Sequence, residues 1–153
     1  MRKYFIVTLA RDIAWVFAVL LFVLFFYEGG GSGAVRILFE ALLSGVIARF
    51  AIGELVRLIY GSERPFLKEK SEELFKYPRN TSFPSGHALF FFAVTTTVLF
   101  YNWIWGVLFL FLSILISFGR VWARIHWFLD VLSGAAIGIG IAVIIHLSIA
   151  GIL

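Results

Sequence analysis

Residues 85–119 decide the fold, and they read SGHALFFFAVTTTVLFYNWIWGVLFLFLSILISFG. This stretch contains no Asp, Glu, Lys or Arg, and Asn102 and Trp103 separate its two apolar halves. A helix of about 17–25 apolar residues crosses a bilayer, so each half is long enough for one crossing. The pattern predicts two helices joined by a tight hairpin, with aromatic side chains at the membrane interface.

Comparable apolar runs lie on both sides of this hairpin. A glycine-rich turn at residues 28–33 separates the first two of them. We predict an all-α fold, a polytopic membrane protein with a bundle of about five transmembrane helices. The predicted spans are residues 4–27, 34–60, 85–101, 104–122 and 127–150. Residues 1–153 are predicted to form a single transmembrane domain.

The composition excludes several classes of protein. Hydrophobic residues make up 61% of the 153 residues and charged residues 14%, whereas a soluble domain is about half apolar and a quarter charged. The absence of cysteine excludes disulfides, thiolate catalysis and cysteine-ligated metals. The net charge of +4 suits contact with anionic lipids, and no basic patch indicates nucleic acid. The expected partners are therefore membrane lipids, without nucleic acid, and the oligomeric state is left unknown.

The second predicted helix carries ionisable residues within an apolar segment. They are Arg36, Glu40, Arg49, Glu54 and Arg57. Because such groups are costly at membrane depth, they should face each other, the bundle interior or a wet cavity. Arg36 lies four residues before Glu40, and Glu54 lies three residues before Arg57, so each pair can meet on one helix face. For the first three residues of this set, a structural and a functional role are equally open.

Residues 61–84 form the only long polar segment and contain all three prolines of the chain. Apolar and basic residues interleave there, which is typical of a short amphipathic segment in the headgroup plane. A solvated loop is the alternative, and the pattern does not separate the two.

Three clusters of unusual residues fall at the ends of the predicted helices. In chain order they are Arg57 and Arg64, then Ser85, Gly86 and His87, then Arg120, His126 and Asp130. Consecutive helices of the bundle run in opposite directions, so all three clusters should arrive at the same membrane face.

The residue types in these clusters suit a phosphate group. Three arginines offer planar pairs of donors for a tetrahedral dianion, and Ser85 and Gly86 begin a helix whose free N–H groups favour an anion. Two histidines supply a nucleophile and a general acid, and Asp130 is spaced to orient His126. No metal and no other cofactor is predicted, because three arginines beside so few ligands would repel a divalent cation.

These residues also carry a family resemblance. Arg57-x6-Arg64-Pro65, Pro84-Ser85-Gly86-His87 and Arg120-x5-His126-x3-Asp130 resemble the three signature motifs of the type-2 phosphatidic-acid phosphatase superfamily. The motifs occur in the expected order within residues 57–130. Three positions depart from the family pattern, because Arg57 replaces the common Lys, Gly119 the common Ser, and Ile125 the Gly that often precedes the nucleophile.

The resemblance implies a chemical role for each residue. The family consists largely of metal-independent phosphatases that form a phosphohistidine intermediate. By resemblance, His126 is the nucleophile, Asp130 orients it, and His87 protonates the leaving oxygen. The implied phosphate-binding residues are Arg57, Arg64, Ser85, Gly86 and Arg120.

Two residues outside the motifs have weaker assignments. His146 lies deep in the last helix with no ionisable neighbour in the sequence, and we expect it to be structural. Arg124 lies two residues before His126. It would touch a second phosphate or anchor a lipid headgroup, and both interpretations stay open.

The sequence around Glu63-Arg64-Pro65-Phe66 looks most like that of bacterial undecaprenyl-diphosphate phosphatases. This resemblance implies a lipid phosphate substrate and removal of the terminal phosphate of a polyprenyl diphosphate. The alternatives are a phosphatidylglycerophosphate or phosphatidate phosphatase, a lipid A phosphatase, and a catalytically silent protein that binds or transports lipid phosphates.

The expected location is the cell membrane, with several crossings. The positive-inside rule favours a cytoplasmic motif face, because most of the basic residues are predicted to lie there. The resemblance implies an active site on the extracytoplasmic face, which is the orientation that we expect.

Overall fold

A computed structural model describes residues 13–69 and 81–152, and these residues are mostly helical, with an isolated β-bridge between Glu63 and Thr81 and no strand among them. The all-α prediction is confirmed for this part of the chain. The helices are α1 (Ile13–Tyr27), α2 (Ser32–Val46), α3 (Gly53–Ile59), α4 (Pro65–Lys68), α5 (Gly86–Tyr101), α6 (Trp103–Trp122) and α7 (Phe128–Ile152). A π-helical segment, Ile47–Ile52, joins α2 and α3 into one continuous rod.

The long helices follow the predicted spans closely. The rod over 32–59 and the helices α5, α6 and α7 begin and end within two residues of the predicted bounds, and residues 4–12 of the first span lie outside the described residues. Two described helices, Trp103–Trp122 and Phe128–Gly151, are long and apolar enough to cross a membrane, whereas α1 and α5 are apolar but shorter. Five crossings therefore remain a prediction.

Helix α5 lies at the centre and packs against α2, α6 and α7. Around it, buried apolar side chains form the main core; among them are Phe17, Leu24, Phe91, Phe109 and Ile116. Two glycines let α7 approach α5 closely. A Cβ on Gly134 would lie 2.8 Å from the Ser85 carbonyl oxygen, and one on Gly138 would lie 2.5 Å from that of Leu89. This packing holds the beginning of α7 against the beginning of α5.

His146 has no ionisable neighbour in the sequence, but in the folded chain it contacts Glu40. Its Nδ1 atom lies 2.7 Å from Oε1 of Glu40, whose side chain is fully buried. The other carboxylate oxygen accepts a 2.5 Å hydrogen bond from the Tyr101 hydroxyl, and the Phe100 ring stacks on the imidazole. The sequence did not reveal this neighbour because 106 residues separate the two partners.

The predicted interfacial segment is only partly described. Within residues 61–84 the structure has α4, in which Pro65 and Phe66 are buried and Leu67 and Lys68 are exposed. The remainder of that prediction falls on residues 70–80, outside the described residues.

Candidate active site

The three predicted clusters meet at one end of the bundle. Arg57 donates from Nη2 to the Pro84 carbonyl oxygen at 3.0 Å, which joins the end of α3 to the start of α5. The Ser85 backbone N–H donates to the Asp130 carbonyl oxygen at 3.0 Å, which joins α5 to α7. Arg64 donates from Nη1 to the Ile125 carbonyl oxygen at 3.0 Å. All eight predicted site residues therefore belong to one contact network.

The site is rich in guanidinium groups. The side chains of Arg64 and Arg120 are buried, and Arg57 is held by Glu54, with 2.5 Å between Nη1 and Oε1. This last contact confirms the intrahelical pairing expected from their spacing. Buried cations are stable only when anions or dipoles compensate them. The arrangement therefore favours binding of an anion.

The start of α5 has the features of an anion site. Ser85 precedes the helix as its N-cap, and its hydroxyl is buried and makes no hydrogen bond to any described residue. A Cβ on Gly86 would lie 2.8 Å from Nη2 of Arg57. Only glycine lets the guanidinium approach the first turn so closely, where the helix dipole and free N–H groups favour negative charge.

A tight turn between α6 and α7 presents His126. The turn places Arg124 in the left-handed region, with φ of 56°, and the backbone N–H groups of Ile125 and His126 both point at the Arg120 carbonyl oxygen. Nδ1 of His126 lies 3.6 Å from Oδ2 of Asp130, slightly beyond hydrogen-bond distance. The carboxylate is fixed by the Trp127 backbone N–H, which donates to the same oxygen at 2.8 Å.

The protonation state of His126 follows from this environment. Its side chain is almost fully buried. Burial lowers the pKa of His126, and the adjacent Asp130 carboxylate offsets that effect only in part. The imidazole is therefore neutral at neutral pH. With Nδ1 turned toward the carboxylate, Nε2 is the nitrogen with a lone pair for other chemistry.

His87 contacts Arg120, with Nε2 of the imidazole next to Nη2 of the guanidinium. A guanidinium offers only donors, so Nε2 is the acceptor and carries no proton in this arrangement. A ligand that recruits Arg120 would release this nitrogen.

Two apolar cavities adjoin the site. One, of about 550 Å³, is lined by Tyr60, Phe83, Trp127 and Asp130 among others. The second, of about 530 Å³, is lined by side chains of α5, α6 and α7, such as Phe92, Phe118 and Leu132. Its lining begins at Val121 and Phe128, next to the turn that carries His126.

The family profile of the PAP2 superfamily matches residues 34–151, a range that contains the entire site. The chain belongs to the PAP2 superfamily. The resemblance drawn from the three motifs to the type-2 phosphatidic-acid phosphatase superfamily is thereby confirmed.

Three curated relatives have low identity to this PAP2 chain. The undecaprenyl-diphosphatase of Sulfolobus acidocaldarius is 30% identical over 84% of this chain and 60% of its own length. The undecaprenyl-diphosphatase BcrC of Bacillus subtilis is 30% identical over 65% of this chain and 53% of its own length. The bacitracin transport permease protein BcrC of Bacillus licheniformis is 27% identical over 65% of this chain and 49% of its own length. The chain spans about half to two thirds of the length of these relatives.

A solved structure shares the fold. The crystal structure of LpxE from Aquifex aeolicus superposes with a TM-score of 0.72, over 94% of this chain and 84% of that one, at 24% identity. This likeness supports the helical arrangement of the PAP2 domain.

Arg124 and Arg49 occupy different positions relative to the PAP2 site. Arg124 is exposed, and its Nη1 donates to Oε2 of Glu69 at 2.6 Å. Arg49, which the sequence placed only among the ionisable residues of the second helix, reaches the start of α5, and its Cζ lies 3.5 Å from the Cβ position of Gly86. The available signal was its spacing of eight residues, about two turns, before Arg57 on the same rod.

Among the described residues, no three His, Cys, Asp or Glu side chains gather into a group that could hold a metal ion.

Proposed function

We propose that this PAP2 protein is an integral-membrane phosphatase that removes the terminal phosphate of a polyprenyl diphosphate, with undecaprenyl diphosphate as the foremost substrate. The observation that carries the proposal is the meeting of Arg57, Arg64 and Arg120 with a buried neutral His126 at the start of α5. The names of the relatives from Sulfolobus acidocaldarius and Bacillus subtilis favour the diphosphate substrate.

The terminal phosphate binds at the N-terminus of α5. The three arginines neutralise its charge, and the Ser85 hydroxyl and the backbone N–H of Gly86 donate to its oxygens. Phosphate bound there competes with His87 for Arg120, because the guanidinium now contacts a dianion. The contact between Arg120 and His87 is then exchanged, and Nε2 of His87 becomes able to carry a proton.

The reaction proceeds in two displacements. Nε2 of His126 attacks the terminal phosphorus while the bond to the bridging oxygen breaks, and Asp130 stabilises the imidazolium that forms. His87 gives its proton to the departing lipid phosphate. Water then attacks the phosphohistidine, His87 accepts a proton from it, and inorganic phosphate leaves. The net change is hydrolysis of one phosphoanhydride bond, without a metal ion.

The lipid chain lies in the membrane beside the bundle. We assign all five long helical rods to the bilayer, with the motif end at one interface. The apolar groove among α5, α6 and α7, of about 530 Å³, starts beside the turn of His126 and suits a hydrocarbon chain. Such a groove accepts a prenyl chain without recognising polar groups along it.

A panel assay tests the substrate. Phosphate release is measured with purified protein in detergent and excess chelator, on a polyprenyl diphosphate, the matching monophosphate, phosphatidylglycerophosphate, phosphatidate and lipid A. We expect kcat/KM to be highest for the diphosphate. A higher value for any other lipid assigns the enzyme to that substrate. Release from none of them, with Mg²⁺ present or absent, would support a silent binding or transport protein. Activity that needs Mg²⁺ would refute the metal-free mechanism.

A labelling experiment tests the extracytoplasmic orientation of the site. The chain contains no cysteine, so Lys68→Cys creates a single thiol on the exposed side of α4, and Ser32→Cys creates one at the opposite end of the bundle. In intact cells a membrane-impermeant thiol reagent should label the Lys68→Cys protein and should not label the Ser32→Cys protein. The reverse pattern would place the site in the cytoplasm.

A further inference from the structure

The π-helical segment Ile47–Ile52 interrupts the rod where it contacts both α5 and α7. Ala48 is fully buried with Leu89 and Ala142, and a Cβ on Gly53 would lie 2.7 Å from the Leu89 side chain. π-Helical turns occur often at functional sites, since the extra residue redirects neighbouring side chains. The redirected charged residue here is Arg49.

The Arg49 guanidinium reaches the phosphate end of the bundle. Its Cζ and Nη1 lie 3.5 and 3.6 Å from the Cβ position of Gly86, and Nη2 of Arg57 lies 2.8 Å from the same point. Arg49, Arg57 and Arg120 all act electrostatically on His87. Three guanidinium groups therefore converge on the start of α5, and the three motifs account for only two of them, Arg57 and Arg120.

The two arginines of the rod reach Gly86 from different levels of the helix. Arg57 comes from the end of the rod nearest the loops, whereas Arg49 lies eight residues earlier, about 12 Å deeper in the bundle by the helical rise. The attacking His126 lies in the α6–α7 turn, on the loop side. An in-line displacement places the leaving group opposite the nucleophile, and Arg49 comes from the level of the rod farther from that turn.

We propose that Arg49 binds the phosphate group that remains on the lipid, and that it thereby determines the preference for diphosphates over monophosphates. This inference rests on the proposed function, because it assumes attack by His126 on a terminal phosphate. The departing phosphate gains negative charge as the anhydride bond breaks, and a guanidinium beside it stabilises that charge. A lipid monophosphate has no group at this position and gains nothing from Arg49.

Arg124 is the competing candidate for the same role. Its guanidinium is exposed and paired with Glu69, and it lies in the loop on the side of His126. The structure therefore favours Arg49 over Arg124 as the ligand of the second phosphate.

The test compares two substrates with one prenyl chain, farnesyl diphosphate and farnesyl monophosphate. For Arg49→Gln we expect kcat/KM on the diphosphate to fall on the order of 10–100-fold, the range for a hydrogen bond to a charged group. The monophosphate value should stay within about threefold. Arg49→Lys should recover part of the loss, since charge returns without the planar fork.

Three matched Arg→Gln variants serve as controls. Arg57→Gln should lose activity on both substrates, because that residue faces the terminal phosphate. Arg124→Gln and Arg36→Gln should leave the ratio of the two kcat/KM values unchanged. An equal loss on both substrates for Arg49→Gln would overturn the proposal. A loss confined to the diphosphate for Arg124→Gln would overturn it as well.

A binding measurement separates this proposal from the proposed function. Inorganic pyrophosphate should raise the melting temperature of the native protein more than inorganic phosphate does, and Arg49→Gln should remove that difference. If the native protein prefers monophosphates, the proposed substrate is wrong. If it prefers diphosphates and Arg49→Gln keeps both the preference and the pyrophosphate effect, only the role of Arg49 is wrong. Should Arg49→Gln fail to fold, Arg49→Lys takes its place: a smaller loss confined to the diphosphate is expected, and an equal loss on both substrates or no loss on either overturns the role of Arg49.

Discussion

Two clusters of ionisable side chains lie at opposite ends of the same bundle, and they differ in how their charges are compensated. At the far end, each carboxylate oxygen of the fully buried Glu40 has a partner, one from His146 and one from Tyr101. At the phosphate end, Arg49, Arg57 and Arg120 lie around the start of α5, and Glu54 pairs with Arg57. One cluster is satisfied by the protein itself, and the other has an excess of cations.

This difference separates a structural cluster from a binding site. A buried polar group is stable when it is hydrogen-bonded, and the far cluster satisfies that condition while tying α2, α5 and α7 together. The phosphate end instead contains a buried Ser85 hydroxyl that makes no hydrogen bond to any described residue. Such groups are expected where a ligand completes the network.

The largest expected effect comes from replacing one histidine by alanine at each end of the bundle. His126→Ala should abolish both turnover and the phosphohistidine, because it removes the attacking nitrogen. His146→Ala, at the far end, should keep kcat within about threefold. Trapping of phosphoenzyme in the His126→Ala protein, or an equal loss for His146→Ala, would end the assignment. Acid-quench labelling with a ³²P substrate measures the intermediate.

The second effect depends on the leaving group. His87→Ala should lower kcat/KM about 10²–10⁴-fold on a lipid monophosphate, the usual range for general acid catalysis. Nitrophenyl phosphate needs no proton on its leaving oxygen, so the His87→Ala loss on it should be much smaller. The His126→Ala variant should lose as much kcat/KM on nitrophenyl phosphate as it does on the lipid. Similar losses for both variants on both substrates would show that the two roles are misassigned.

The third effect is a shift of the pH profile. Because the pKa of His126 is lowered below its ordinary value of 6.5, the neutral nucleophile persists as pH falls, and the acid limb of kcat/KM should lie below pH 6.5. Asp130 acts in the opposite direction and raises this pKa. Asp130→Asn should therefore move the acid limb to lower pH while reducing kcat. The same substrate is used for both proteins, so that the titration of the substrate itself cancels in the comparison. A shift of the acid limb to higher pH in Asp130→Asn would contradict the prediction.

The smallest expected effect is a loss of folding stability with almost no change in activity. Glu40→Gln removes the charge that His146 and Tyr101 bind, and we expect a loss of about 1–3 kcal/mol in unfolding free energy. kcat/KM should change by less than about twofold. Ser148→Ala, an exposed substitution on the same helix as His146, should stay within about 0.5 kcal/mol. Thermal unfolding in detergent measures both variants, and a large activity loss in Glu40→Gln would mean that the far cluster is not purely structural.

Sequence patterning is enough to predict the long helices and the meeting of the motifs. Apolar runs of membrane length predicted the long helices, because a bilayer fixes the length of a helix that crosses it. Since successive helices reverse direction, Arg57, His87 and His126 were expected at one end, and contacts in the structure join the clusters to which they belong. The chemical roles of these residues stay predictions.

The packing of the helices sets which distant side chains become partners. Glu40 and His146 are 106 residues apart, and no local spacing relates them. The position of Arg49 depends on the π-helical segment and on the reach of a long flexible side chain, neither of which the pattern of apolar residues encodes. The contact of Arg120 with His87 and the left-handed turn at Arg124 arise in the same way. Periodicity fixes where helices lie along the chain, whereas partners across the bundle depend on the relative rotation and depth of the packed helices.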